Sequence, residues 1–118
     1  MSTLEALPLT PVGSCCTPVT ADVLSAEDAE AMAVAFKALG DPTRLRLLSI
    51  VAASDGDEAC VCDLTEPVGL SQPTVSHHLK ILMDAGYLTR SKRGTWAYYK
   101  LVPGSLDRVA GLLATATA

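Results

Sequence analysis

The chain has 118 residues, 49% of them hydrophobic and 4% aromatic, and a formal net charge of −4. That is the length of one ordinary domain, and apolar content carried by Ala, Leu and Val suits helices better than a β-sandwich. No apolar run approaches the roughly 18–20 residues of a membrane span, and "MSTLEALPLTPVG" has neither a base nor a long apolar stretch, so no signal peptide and a cytoplasmic location are expected.

The acidic total hides an asymmetry. Residues 1–36 hold five acids and no base, whereas residues 71–100 hold Lys80, Arg90, Lys92, Arg93 and Lys100 against Asp84 alone, a local +4. Salt screens charges beyond about 8–10 Å, so a partner at binding distance meets the basic segment and not the total. A solvated basic face is the plainer alternative on charge alone.

Residues 1–24 contain three prolines and little periodicity, and they read as an extended arm carrying Cys15 and Cys16. Residues 25–118 read as one folded domain. Ser25-Ala-Glu-Asp28 is a capping-box pattern opening a helix that runs to Leu39. That helix is apolar on most faces, which calls for two partners. Gly40 ends it. Asp41 as N-cap and Pro42 at the first position open the next helix, with Leu45, Leu47, Leu48, Ile50 and Val51 on its core side. A turn follows at "SDGDE", residues 54–58.

A first short helix is expected near residues 61–68, distorted by Pro67, which lacks an N–H to donate. Gly69 makes a tight turn. Ser71 caps a second helix that ends at Gly86, with Val75, Leu79, Leu82 and Met83 on one face and Ser76, His77, Lys80 and Asp84 on the other. Two helices joined this way, the second with a polar outer face, form a helix-turn-helix pattern. Residues 87–102 read as a hairpin with a basic turn around Gly94. Ser105 is expected to cap a last helix carrying Leu106, Val109, Ala110, Leu112 and Leu113. The fold class is therefore mainly α with a β-hairpin wing, a winged helix-turn-helix.

"FKALGDPTRLRLL" (36–48), "CVCDL" (60–64), "GLSQPTVSHHLKILMDAGYL" (69–88) and "RGTWAYYKL" (93–101) resemble, in register, the ArsR/SmtB metal- and metalloid-responsive repressors. The resemblance covers about residues 25–105. It implies a homodimeric repressor that holds operator DNA when empty and releases it when a toxic ion binds. No cofactor is required beyond that inducer.

Within such a reader, Gln72, Thr74, Ser76 and His77 lie at the N-terminal end of the recognition helix, able to reach base edges or phosphates. Lys80 suits a phosphate, and Arg90, Lys92 and Arg93 at the hairpin suit backbone or minor groove. His78 falls on the flank of the apolar face and reads as a structural histidine.

The chain has four cysteines. On a regular helix Cys60 and Cys62 would point to opposite faces, so they share an ion only if the backbone there is extended or the helix start is loosened. Burial as small apolar residues is the plain alternative. The resemblance implies soft-ion binding at "CVCDL"; some relatives add a third cysteine directly after Leu, where this chain has Thr65. Cys15 and Cys16 are the remaining thiols, and Cys16 lies about nine residues before Ser25, an extended reach of up to ~30 Å. The ligand set is either Cys15 and Cys16 with one of the pair, or one arm cysteine with both Cys60 and Cys62. Thiolates without histidine or carboxylate ligands mean a soft acceptor: arsenite or antimonite with three sulfurs is favoured, with cadmium, lead or zinc as the alternative. A thiol redox switch on the same DNA-binding fold is a rival reading, and a protein-interaction module that no longer reads DNA is another. No nucleophile–base constellation or phosphate-cradling loop suggests an enzyme.

Overall fold

The computed structural model describes residues 18–114. Cys15, Cys16 and most of the expected arm lie outside the described residues. Among the described residues there are five α-helices and three strands. Helix α1 (Ala26–Leu39) is capped by Ser25, whose hydroxyl accepts the Asp28 N–H at 3.1 Å. Helix α2 (Pro42–Ala53) is capped by the Asp41 carboxylate, which accepts the N–H groups of Thr43 and Arg44 at 2.9 and 3.1 Å. Leu47, Leu48 and Val51 are buried, but Leu45 is half exposed and not a core residue as expected. The buried three cluster on one side of the helical wheel and Leu45 falls away from them.

The chain then makes strand β1 (Glu58–Cys60), a 3-10 turn over residues 61–63, and helix α3 (Thr65–Val68). This corrects the helix expected from residue 61, which starts only at Thr65. Cys60 is the last residue of a strand that pairs antiparallel with the hairpin. Three residues are too few for a period-2 signal, and β1 is defined by the edge it pairs with. Helix α3 is confined to four residues with Pro67 inside it, the shortness that the missing N–H leads one to expect. Gly69 ends it at φ 70°, where its N–H reaches the carbonyls of Thr65 and Glu66. Helix α4 (Gln72–Asp84) starts at the Ser71 cap and buries Val75, Leu79 and Leu82.

Strands β2 (Leu88–Arg93) and β3 (Trp96–Leu101) form the hairpin, and β1 adds to its β3 side, giving the order β1-β3-β2. Helix α5 (Ser105–Leu113) corrects a further expectation. Gly104, in the left-handed region at φ 77°, is its N-cap, while Ser105 is the first helical residue, fully buried, with no hydrogen-bond partner for its Oγ among the described residues. Val109 and Leu112 are buried, and Leu106 and Leu113 are exposed.

Tyr87, fully buried ahead of β2, locks these layers together. Its hydroxyl donates to the Ala35 carbonyl of α1 at 2.8 Å, and burial pushes its pKa up to about 12. The described end of the N-terminal segment lies on α5: the Val19 N–H donates to the Leu112 carbonyl at 2.8 Å, and Thr20 Oγ1 to that of Ala114 at 3.3 Å.

Candidate nucleic-acid interface and thiol site

Helix α4 presents Gln72, Thr74, His77 and Lys80 to solvent, with Ser76 half-buried beside them. The Ser71 hydroxyl also donates to Thr74 Oγ1 at 3.0 Å, which holds Thr74 at the helix mouth. Lys80 is paired with Asp84 one turn on, Nζ to Oδ2 2.8 Å, and both side chains are largely exposed. An exposed pair of this kind is worth little, so a phosphate competes for Lys80 readily.

Behind this surface sits a bracket of which only one member, His78, is legible in the sequence. His78 is structural, as its place on the wheel suggests: Arg44 Nη1 lies 3.1 Å from its Nδ1, and Asp41 Oδ2 lies 3.9 Å away. Because guanidinium only donates, Nδ1 accepts here. The same Arg44 donates from Nε to the Ala38 carbonyl at 2.6 Å and from Nη2 to that of Lys37 at 3.3 Å. These are carbonyls at the C-terminal end of α1, where a cation is favoured. Arg44 thus joins α1, α2 and α4. The backbone hydrogen bond from Arg44, then the nearby Arg44 charge, holds Asp41 below its ordinary pKa. Arg46 Nη2 donates to the Pro67 carbonyl at 2.9 Å and ties α3 to α2.

The wing cations do not act as one group. Alternation along β2 places Arg90 and Lys92 on one face and Arg93 on the other. Arg90 and Lys92 are exposed and make no ion pair among the described residues. Arg93 Nη2 is bound to Glu58 Oε2 at 2.6 Å, and its guanidinium stacks 4.5 Å from the centre of the Tyr98 ring. Glu58 carries no signal in the sequence because its role depends on β1. Trp96, in the sequence only a β-former, is exposed at the hairpin tip.

The side chains of Cys60 and Cys62 come together as a disulfide. Cys60 has extended backbone, φ −72° and ψ 143°, the chain turns at once, the Cα atoms are 5.1 Å apart and the two sulfurs are in bonding contact. The backbone is extended at Cys60, and Cys62 lies in the 3-10 turn that follows. Cys60 Sγ also accepts the Cys62 N–H at 3.2 Å. Cys60 is buried and belongs to the core, whereas Cys62 is exposed. Among the described residues no group of three or more Cys, His, Asp or Glu side chains is placed to hold a metal ion.

A capped, solvent-facing helix behind a glycine turn, braced against a basic hairpin, defines a winged helix-turn-helix DNA-binding protein. Residues 41–90 match the family model described as "Bacterial regulatory protein, arsR family". The chain is 44% identical over 78 residues to the arsenical resistance operon repressor of Bacillus subtilis, a match covering 66% of this chain and 70% of that one. Among solved structures, the AntR antimony-specific transcriptional repressor is 34% identical with a TM-score of 0.63, over 75% of this chain and 79% of that one. The homodimeric winged helix-turn-helix domain of Mb0332 from Mycobacterium bovis is 26% identical with a TM-score of 0.61, over 77% and 84%. The chain belongs to the ArsR family, and it is a transcriptional repressor of that family rather than an enzyme.

Proposed function

We propose that the protein represses a metal(loid)-resistance operon in the cytoplasm, binds the operator as a homodimer, and releases it when arsenite or antimonite binds cysteine thiolates. The observation that carries this reading is the convergence of Cys60 and Cys62 at the approach to the helix-turn-helix. Once a cellular dithiol has reduced the disulfide, itself becoming the oxidised pair, the two thiolates left side by side, one of them solvent-exposed, suit an acceptor that takes three. Cys15 or Cys16, on the arm of residues 1–24, supplies the third. The arm's described end is anchored on α5, and from there the extended arm can span to its own subunit or to the partner. The exposed Val34 on α1 and Leu113 on α5 offer apolar surface for an isologous contact. Such a dimer sets two α4 helices about one DNA turn, ~34 Å, apart on a near-palindrome. Gln72, Thr74, Ser76 and His77 read or position there, while Lys80, Arg90, Lys92 and Arg93 neutralise phosphates.

Ion and DNA are coupled because the thiol pair sits between β1 and α3. An ion that fixes the turn at residues 61–63 constrains both the approach to α4 and the wing strand. A coupling of about 1–3 kcal/mol suffices for induction.

The test is a gel shift on the sequence upstream of the protein's own gene, challenged in parallel with arsenite, antimonite, cadmium, lead, zinc and peroxide. Single Cys→Ser variants are then titrated with arsenite. Normal release by all four variants would rule out the thiol site. The contact between the Cys60 and Cys62 sulfurs also favours a second reading, a redox switch. There the two thiols give up two protons and two electrons to a peroxide, which leaves as two waters. Release by peroxide and not by arsenite would establish it.

A further inference from the structure

Strand β1 does more than complete a sheet. In an antiparallel ladder directly paired residues share a face, as do residues two apart. Glu58 and Cys60 are two apart on β1, Cys60 is opposite Tyr98, Ser91 is opposite Tyr98 on the other side, and Arg93 is two residues from Ser91. One face of the sheet therefore carries, in sequence around a loop, the buried Cys60 sulfur, the Tyr98 ring, the Arg93 guanidinium stacked on that ring, and the Glu58 carboxylate that leads back to β1. In this structure the two sulfurs are joined as a disulfide, which stands in for a thiolate pair gathered by an ion, and Arg93 is taken by Glu58.

We propose that Glu58 is a positioning residue that couples the thiol pair to the wing: it withdraws Arg93 from DNA phosphate when Cys60 and Cys62 are drawn together. This rests on the DNA-binding, ion-released reading above and adds its route. Gathering the sulfurs pins the end of β1 at Cys60. The ladder to β3 carries that order two residues along to Glu58, whose carboxylate then holds Arg93. With the thiols apart, β1 is held by fewer constraints and Glu58 competes less well against phosphate. The pair is about half exposed on the arginine side, so it is worth a modest factor, about two- to fivefold per wing.

The test measures binding of the full-length protein to its upstream duplex across a salt series, with and without arsenite, for wild type, Glu58→Gln, Glu58→Asp, Arg93→Ala and the Glu58→Gln/Arg93→Ala double variant. In wild type, arsenite should weaken binding and flatten the log–log salt slope by about one per wing, because one phosphate per wing is no longer neutralised. Glu58→Gln should shrink the arsenite-induced release by about two- to fivefold for each of the two wings, about four- to 25-fold for the dimer, and keep the slope constant. Glu58→Asp should restore both. In the Arg93→Ala background, Glu58→Gln should have no further effect. The proposal is overturned if Glu58→Gln is released as strongly as wild type with the same change of slope, or if its effect persists without Arg93. Wild-type protein that binds the duplex yet ignores arsenite brings down the ion reading itself, and this coupling with it.

Discussion

Asp41 serves two neighbours within one turn of chain. It caps α2 through two backbone N–H groups and lies beside the Arg44–His78 bracket that fastens α4. Its folded-state pKa is depressed, so its charge stabilises the fold above the ordinary value of 3.8, and that stabilisation is lost as pH falls through the lower folded value. Asp41→Asn keeps a capping oxygen and loses the charge. Urea denaturation should find it less stable than wild type at pH 7, with the gap closing below pH 3.8. Ser105 predicts the opposite behaviour. Its buried hydroxyl has no partner among the described residues, so Ser105→Ala should be neutral or stabilising by up to about 1 kcal/mol in the same assay. Tyr87→Phe, which removes the bond to the Ala35 carbonyl, should cost about 1 kcal/mol.

Among elements, the turn between α3 and α4 sets how the reading helix is presented. At Gly69, with φ 70°, a Cβ would have nothing within 4 Å, so a side chain there meets backbone strain and no clash. Gly69→Ala should destabilise by about 1–2 kcal/mol and weaken DNA binding, read by thermal melting and gel shift. Most of the elements are legible in the sequence because local chemistry specifies their ends: Ser25, Asp41 and Ser71 accept N–H groups at three helix starts, and Pro67 shortens α3. The exceptions share a cause. Strand β1 exists because β3 has an open edge for it, and Ser105 is displaced from capping because Gly104 turns the chain first.

For the whole molecule, charge distribution outweighs net charge. Lys92→Ala with Arg93→Ala should weaken operator binding and reduce its salt slope; an unchanged slope would rule out phosphate contact by the wing. Because Arg93 is already shared with Glu58, Lys92 should account for the larger part of that loss in the presence of inducer. Linkage is reciprocal: operator DNA should weaken arsenite binding by the factor with which arsenite weakens operator binding, a comparison open to calorimetry.

From the sequence alone follow the helix order, the reader helix with its buried and polar faces, the basic hairpin, the family resemblance and the structural role of His78. These are short-range properties, carried by capping residues, period and local charge. Tertiary structure decided which charges are free and where the thiols meet. Residues 35 positions apart, Glu58 and Arg93, become partners only when β1 joins the sheet, and Cys60 faces Cys62 only because that strand stops and the chain turns. No local pattern encodes a contact that depends on another strand's edge.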